Sequence, residues 1–205
     1  MGKVGVDLSM SLDGFIAGPN DSVDNSLGDG GELLFKWYTS GDTEYKLPSG
    51  DRTFKVSSQS AMRLKNAEKS IGVLVYGRRT FDIAHAWGGR HPMDLPMVIV
   101  THHAPKEWLR TGSPFTFVTD GVESAIEQAR KIAGAKNIAV GSASIAQQCI
   151  NSRLLDEIHI NLTPVLLGGG VRLFDQLGAA PIKLESTGVM AVPGVTHLDF
   201  RVVYK

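Results

Sequence analysis

Between residues 71 and 162 the chain repeats one rhythm: a short run of β-branched and aliphatic residues, a turn rich in small or polar side chains, then a segment with helical spacing. The runs at 71–76, 97–101, 115–119, 138–141 and 157–162 have the length of strands rather than of buried helices. The segments 80–86, 122–133 and 144–151 are expected to be helices, the last two carrying apolar residues three and four apart. Strands separated by helices predict an α/β fold with a mainly parallel central sheet, because each crossover lays a helix across one face; helices are therefore expected on both faces.

The two ends read differently. Val4, Val6, Leu8 and Met10 alternate with Gly5, Asp7 and Ser9, the period-two pattern of a strand with one buried face. Leu12, Asp13 and Gly14 make a turn in which the Asp side chain is expected to bond nearby backbone, and Phe15, Ile16 and Ala17 return an apolar stretch. Residues 18–31 are dense in Gly, Asn, Asp and Ser and are expected to form a long loop, a frequent form of lid or binding loop. Residues 58–69 are expected to be a helix capped by Ser57 or Ser58, with Ala61, Leu64 and Ala67 at helical spacing. The C-terminus, with residues 183–191 and 196–204 flanking Pro193 and Gly194, predicts an antiparallel hairpin. One domain spanning residues 1–205 is expected.

Composition narrows the function. The chain has 205 residues with 21 basic and 21 acidic side chains, so it lacks the basic excess on which nucleic-acid binding depends, and no nucleic-acid partner is expected. Cys149 is the one cysteine, which excludes an intramolecular disulfide and a Cys-rich zinc site and suits a reducing compartment; the cytoplasm is the expected location. Asp7 interrupts the N-terminal apolar stretch too early for a signal peptide, and no run approaches the ~18 apolar residues of a membrane helix, so no membrane partner is expected. Cys149 lies in an apolar helix beside Ile145 and is expected to be a buried, inert thiol.

In an open parallel sheet, ligands bind beyond the carboxyl ends of the strands. Three turns there carry chemistry. Gly77, Arg78, Arg79 and Thr80 join a strand to a helix start, where free N–H groups and the positive dipole end favour phosphate. Two arginines at that position oppose the dipole unless an anion is bound; the other reading is that both pair with Asp82 across an exposed face. Thr101, His102 and His103 end the next strand and could donate to a phosphate. Adjacent histidines on extended chain point to opposite sides, and no metal is expected. The third turn, Gly141, Ser142, Ala143 and Ser144, has small side chains that permit close approach to a pyrophosphate or, equally, tight helix packing. Gly168, Gly169 and Gly170 look like a turn leaving a strand. Trp37, Trp87 and Trp108 suit core packing or stacking on a planar substrate. The G-x-G-x-x-G, P-loop and G-x-S-x-G patterns do not occur in these turns.

In this order the motifs resemble the dihydrofolate-reductase-like superfamily, most closely the reductase domain of bifunctional riboflavin-biosynthesis deaminase-reductases and its stand-alone bacterial relatives. The resemblance covers nearly the whole chain. It is carried by Ser11 to Gly18, by Val75 to Phe81, by Val140 to Ser144, and most specifically by Leu155-Asp156-Glu157-Ile158 running into Thr163-Pro164-Val165-Leu166-Leu167-Gly168-Gly169-Gly170 and Leu173-Phe174. It implies a dihydrofolate-reductase-like fold and hydride transfer from NADPH to a small planar heterocycle, pyrimidine or pterin-like. It further implies that Gly77 to Thr80 hold the adenine-side phosphates, with Arg78 or Arg79 on the 2′-phosphate and Thr101 and His102 flanking them. Gly141, Ser142, Ala143, Ser144 and Ile145 would meet the pyrophosphate and nicotinamide ribose, Ile16 and Ala17 would border the nicotinamide, and the chain would be a homodimer. Arginines in place of an acidic ribose-binding residue favour NADP(H) over NAD.

Three departures qualify what the resemblance implies. Ser142 and Ala143 stand where relatives carry glycines, so backbone approach is less close or the serine hydroxyls replace it. Glu32, Asp42 and Glu44 lie in a stretch that does not align with the pterin-binding carboxylate, so folate is not singled out as substrate. The zinc deaminase half, which needs Pro-Cys-x-x-Cys, cannot be built with one cysteine. The alternative reading is a non-catalytic NADP(H)- or flavin-nucleotide-binding regulatory protein.

Overall fold

A computed structural model describes residues 2–178 and 180–204. The elements in chain order are β1 (Val4–Ser11), β2 (Phe15–Ala17), β3 (Thr43–Lys46), β4 (Thr53–Val56), α1 (Ser58–Ser70), β5 (Ile71–Gly77), α2 (Arg78–Ile83), β6 (Met97–Val100), β7 (Phe115–Val118), α3 (Val122–Ala133), β8 (Asn137–Val140), α4 (Ala143–Asn151), β9 (Glu157–Thr163), β10 (Val171–Arg172), β11 (Lys183–Val192) and β12 (Val195–Val203). One eight-stranded sheet runs β11-β12-β9-β1-β8-β5-β6-β7. The pairs β9-β1, β1-β8, β8-β5, β5-β6 and β6-β7 are parallel. The C-terminal hairpin adds β12 antiparallel to β9 and β11 antiparallel to β12, as its alternation and Pro-Gly turn predict.

The sheet buries both faces, which is why its central strands read as continuous apolar runs. On one face Val4, Val6, Val73, Val75, Ile138 and Val140 pack against Ala125, Ile126 and Ala129 of α3 and Ile145, Ala146 and Cys149 of α4. The Cys149 thiol is pushed up to about 12 by burial, the state of an inert core group. On the other face Leu74, Met97 and Ile99 pack against Phe81 of α2, and Trp37, Tyr45, Val56, Ala61 and Val195 form a separate cluster. Ser57 caps α1, its hydroxyl accepting from Ser60 N–H at 3.1 Å. Among the described residues no helix is long and apolar enough to cross a membrane.

Two stretches depart from the pattern read in the sequence. The helix expected at 80–86 is α2, which starts at Arg78 and ends at Ile83. It cannot continue because His85, Ala86 and Trp87 have φ of 49°, 51° and 48°, the left-handed region, forming a short 3-10 turn over His85–Gly89. Between residues 31 and 56, where no element stood out, a 3-10 segment at Gly31–Thr39 and the β3–β4 hairpin cover the second sheet face. Leu34 and Trp37, three apart, are the buried anchors of that segment. The expected 18–31 loop is present and closes on itself: Gly18 N–H bonds Leu27 O, Asp29 N–H bonds Pro19 O, and Asn20 and Asn25 both donate to the Asp29 carboxylate.

Candidate functional site

The parallel strands β5, β6 and β7 end side by side, so the turns that follow them share one edge of the sheet. A cleft of about 380 Å³ opens there. Gly77, Arg78, Thr101, His102, Ser144 and Ile145 line it, six of the residues singled out in the sequence. His103, Val100, Thr119, Gly121 and Gln148 complete the wall. Thr119 and Gly121 sit in a strand–turn–helix step of the same grammar as Gly77 to Thr80, and Gln148 is one helical turn beyond Ser144; that grammar and that spacing are the sequence signals for them.

The cleft favours negative charge. The N-termini of α3 and α4 both open onto it, and neither helix receives a side-chain cap from its N-cap residue, Gly121 or Ser142. First-turn N–H groups and the positive dipole ends therefore face the space. Arg78 lies in its wall, with Nε donating to both Asp82 oxygens at 2.8 and 2.9 Å and a terminal nitrogen donating to His103 O at 2.7 Å. Among the described residues no Asp or Glu lines the cleft. Thr101 Oγ1 donates to His103 O at 2.9 Å and fixes the 101–103 turn.

The other residues singled out have different surroundings. Arg79 does not pair with Asp82; its guanidinium donates to Asp21 Oδ1, Oδ2 and O at 2.9, 3.2 and 2.8 Å, fastening the 18–31 loop to α2. The buried Ser142 hydroxyl accepts from Gly77 N–H and donates to Thr80 Oγ1, both at 2.9 Å, so it joins two turns. Gly141 is required by packing, since a Cβ there would stand 2.0 Å from the Tyr76 ring. Ala143 is the buried first residue of α4. Ile16 and Ala17 lie in β2, paired with β10 and outside the cleft lining.

Asp13 has a structural role, as expected, but across the fold rather than within its own turn: its carboxylate accepts from Ser11 Oγ and from the distant Leu167 and Gly168 N–H. The Ser11 hydroxyl and these amides lower it to about 2. The Gly168–Gly170 stretch is a turn between β9 and β10, and a side chain at Gly170 would meet Ala17 O at 2.0 Å. Trp37 is core, donating Nε1–H to Ser9 Oγ at 3.0 Å, while Trp108 packs edge-on to Phe115. Trp87 lies against Tyr76.

A larger cavity, about 600 Å³, lies beneath α1 toward the amino ends of the strands. Its charged groups satisfy one another: Arg63 meets Asp199 at 2.8 Å, His159 meets Asp199 at 2.7 Å, and Asn161 donates to Asp7 at 2.7 Å. Burial alone would lower His159, but the Asp199 hydrogen bond and the Asp7 charge outweigh it and hold the imidazole above its ordinary value. Being opposite the strand-end turns, this cavity is set apart from the anion-favouring cleft. Among the described residues no group of three or more His, Cys, Asp or Glu could hold a metal.

Comparison with known proteins agrees with this architecture. The model of the RibD C-terminal domain family matches residues 2–198. The uncharacterized protein YyaP of Bacillus subtilis (strain 168) is 25% identical over 183 residues, covering 84% of this chain and 80% of that protein. A putative riboflavin biosynthesis protein from Shewanella sp. PV-4 superimposes with a TM-score of 0.71 at 19% identity, over 100% of both chains. Dihydrofolate reductase from Enterococcus faecalis, solved with NADP(H), gives 0.53 at 14% identity, over 98% of this chain and 96% of that one. A diaminohydroxyphosphoribosylaminopyrimidine deaminase/5-amino-6-(5-phosphoribosylamino)uracil reductase from Thermotoga maritima gives 0.59 at 12% identity, over 98% of this chain and 57% of that one. These structural likenesses establish a dihydrofolate-reductase-like fold.

Proposed function

Because the chain belongs to the RibD C-terminal domain family, we propose that it is an NADPH-dependent reductase acting on a small planar heterocycle, pyrimidine or pterin-like. The observation that carries this reading is the anion-favouring cleft at the carboxyl ends of β5, β6 and β7, with two helix N-termini, Arg78 and, among the described residues, no carboxylate in its wall. A phosphate-rich dinucleotide matches that chemistry. In this reading Arg78 takes the 2′-phosphate, Thr101 and His102 flank it, and the first-turn N–H groups of Ala143, Ser144 and Ile145 take the pyrophosphate. Gly77 keeps the wall open, since a Cβ there would stand 3.3 Å from Ser144 Oγ. When bound, the reduced nicotinamide supplies the hydride.

Arg79 has a different part in the proposal. Through Asp21 it holds the 18–31 loop over α2, and His85 Nε2 meets Val23 O of the same loop at 3.1 Å. In this reading a homodimer would use β11, one of the two edge strands of the sheet, where Leu184 and Val189 are exposed.

Calorimetric titration with NADPH and NADH in identical salt tests the cofactor reading. NADPH is expected to bind at least about tenfold more tightly, the equivalent of one charge-assisted contact at ~1.4 kcal/mol. Equal affinity, or binding of neither, overturns it. Oxidation of NADPH is then followed at 340 nm against 6,7-dimethyl-7,8-dihydropterin, 7,8-dihydrofolate and a ribosylaminouracil.

A further inference from the structure

Gly5 lies on β1 between β8 and β9, in the middle of the sheet, where a strand ordinarily places a packing side chain. A glycine inside a strand weakens it and marks a bulge, a close backbone or a ligand. There is no bulge at this point: Val4, Gly5 and Val6 pair in unbroken register with Ile138, Ala139 and Val140, and Gly5 pairs with Glu157 on its other side. Nor is the space taken. A Cβ on Gly5 would meet nothing closer than Glu157 O at 3.6 Å, whereas one on Gly141 or Gly188 would strike Tyr76 or Asp199. Gly5 and its partner Ala139 instead leave a bare patch in the floor of the cavity of about 600 Å³ under α1.

The roof of that cavity is one face of α1. Gln59, Met62, Arg63, Asn66, Ala67 and Ser70, three and four residues apart, all line it. Contacts elsewhere hold the helix at that height: Ala61 packs with Trp37, Tyr45 and Val56, the Ser60 hydroxyl meets His197 Nε2 at 2.8 Å, and Arg63 reaches Asp199 at 2.8 Å. The space is therefore preformed, and its volume falls within the ~300–1,000 Å³ of small-molecule pockets.

The polar groups of the wall define what it takes. Each cation there is matched, Lys3 with Glu157, and Arg63 and His159 with Asp199. Asp7 is the carboxylate with acceptor capacity to spare. Its Oδ1 accepts from Asn161 at 2.7 Å, but among the described residues Oδ2 has only Arg63, at 3.5 Å, longer than an ordinary hydrogen bond. A carboxylate accepts up to about four such bonds.

We propose that this cavity is a second small-molecule site, one that takes a planar aromatic ring bearing an amidine or amino group. The ring lies on Gly5 and Ala139 beneath Met62 and Ala67, and its N–H is donated to Asp7. A floor without side chains admits a flat ring face to face, and Met62 gives it a pliable apolar cover. A carboxylate with an open acceptor selects a donor over an acceptor and a cation over an anion. The site shares no lining residue with the cleft beyond β5, β6 and β7, and the inference does not rest on the reductase reading.

Benzamidine is the probe, with benzoate and cyclohexanecarboxamidine as controls, each titrated into the nitrogen-15-labelled full chain and followed by amide NMR shifts. Benzamidine is expected to bind with a Kd of about 1 mM or tighter, shifting the Gly5, Ala139 and Asn66 amides and leaving Thr101 and Ser144 unmoved. Benzoate, of opposite charge, and cyclohexanecarboxamidine, with the same head on a puckered ring, are each expected to bind at least about tenfold more weakly. D7N is expected to weaken benzamidine about tenfold or more. G5A, whose methyl has room, is expected to weaken it about threefold or more with a Tm no lower than wild type, a combination that a purely structural glycine does not give. No saturable binding of benzamidine, shifts confined to the cleft, equal affinity for benzoate, or wild-type affinity in D7N or G5A overturns the proposal.

Discussion

Replacing Ser142 with Ala separates two uses of one hydroxyl. In the structure Ser142 is 3% exposed, and its Oγ accepts from Gly77 N–H while donating to Thr80 Oγ1, each at 2.9 Å. Removing it leaves the buried Gly77 amide without an acceptor, a desolvation cost of ~1–3 kcal/mol, and takes one ordinary hydrogen bond from Thr80, ~0.5–1.5 kcal/mol. The expected loss is about 3 kcal/mol. For a chain of this size that lowers Tm by roughly 6–12 °C. Urea unfolding of wild type, S142A, T80V and the double variant gives the values and, through the double-mutant cycle, the coupling between Ser142 and Thr80. NADPH affinity of the folded S142A protein is expected to stay within about threefold of wild type, because the hydroxyl is directed inward. Stability within about 0.5 kcal/mol of wild type, together with a tenfold loss of NADPH affinity, would refute this reasoning and return Ser142 to direct phosphate contact.

Three further outcomes are expected. R78A should reduce NADPH affinity about tenfold with little effect on NADH, while R79A and D21N should leave both affinities nearly unchanged and instead raise the rate of proteolysis within residues 18–31; calorimetry and limited proteolysis measure the two effects. G141A should destabilise the protein by about 1–3 kcal/mol, since the added Cβ must displace a Tyr76 ring backed by Trp87, and the His91 NMR signal should shift with it. His91 has a folded pKa near 4 against 6.5 unfolded, so the unfolded state binds the proton first as pH falls and the stability contribution, complete above pH 6.5, is lost between pH 6.5 and 4. Urea unfolding should show wild type losing about 2 kcal/mol more than H91Q between pH 7 and pH 5.

The route from sequence to fold was direct wherever a local pattern and the sheet agreed. The apolar runs feeding β5, β6, β7, β8 and β9, the period-two β1 and the Pro-Gly hairpin each encode their own geometry, and a parallel sheet with strand-end turns on one edge follows from them. That is enough to bring Gly77, Arg78, Thr101, His102, Ser144 and Ile145 to one cleft. Residues 31–56 were illegible because a 3-10 segment and a short hairpin lack a long periodic signature; Leu34 and Trp37 are buried by the sheet face they cover, not by any pattern of their own.

What the tertiary structure alone decided is how identical residue types divide their roles. Arg78 and Arg79 are adjacent in sequence, yet one walls the cleft and the other holds a loop, because the residues at successive helical positions face about 100° apart and meet different neighbours. Ser142 and Ser144 belong to the same small-residue turn, yet one hydroxyl is committed to Gly77 and Thr80 while the other residue lines the cleft. Tyr76 and His91 carry no motif at all. Their pairing exists because a left-handed turn reverses the chain after α2 and brings residue 91 back over β5, a long-range contact that no local periodicity records.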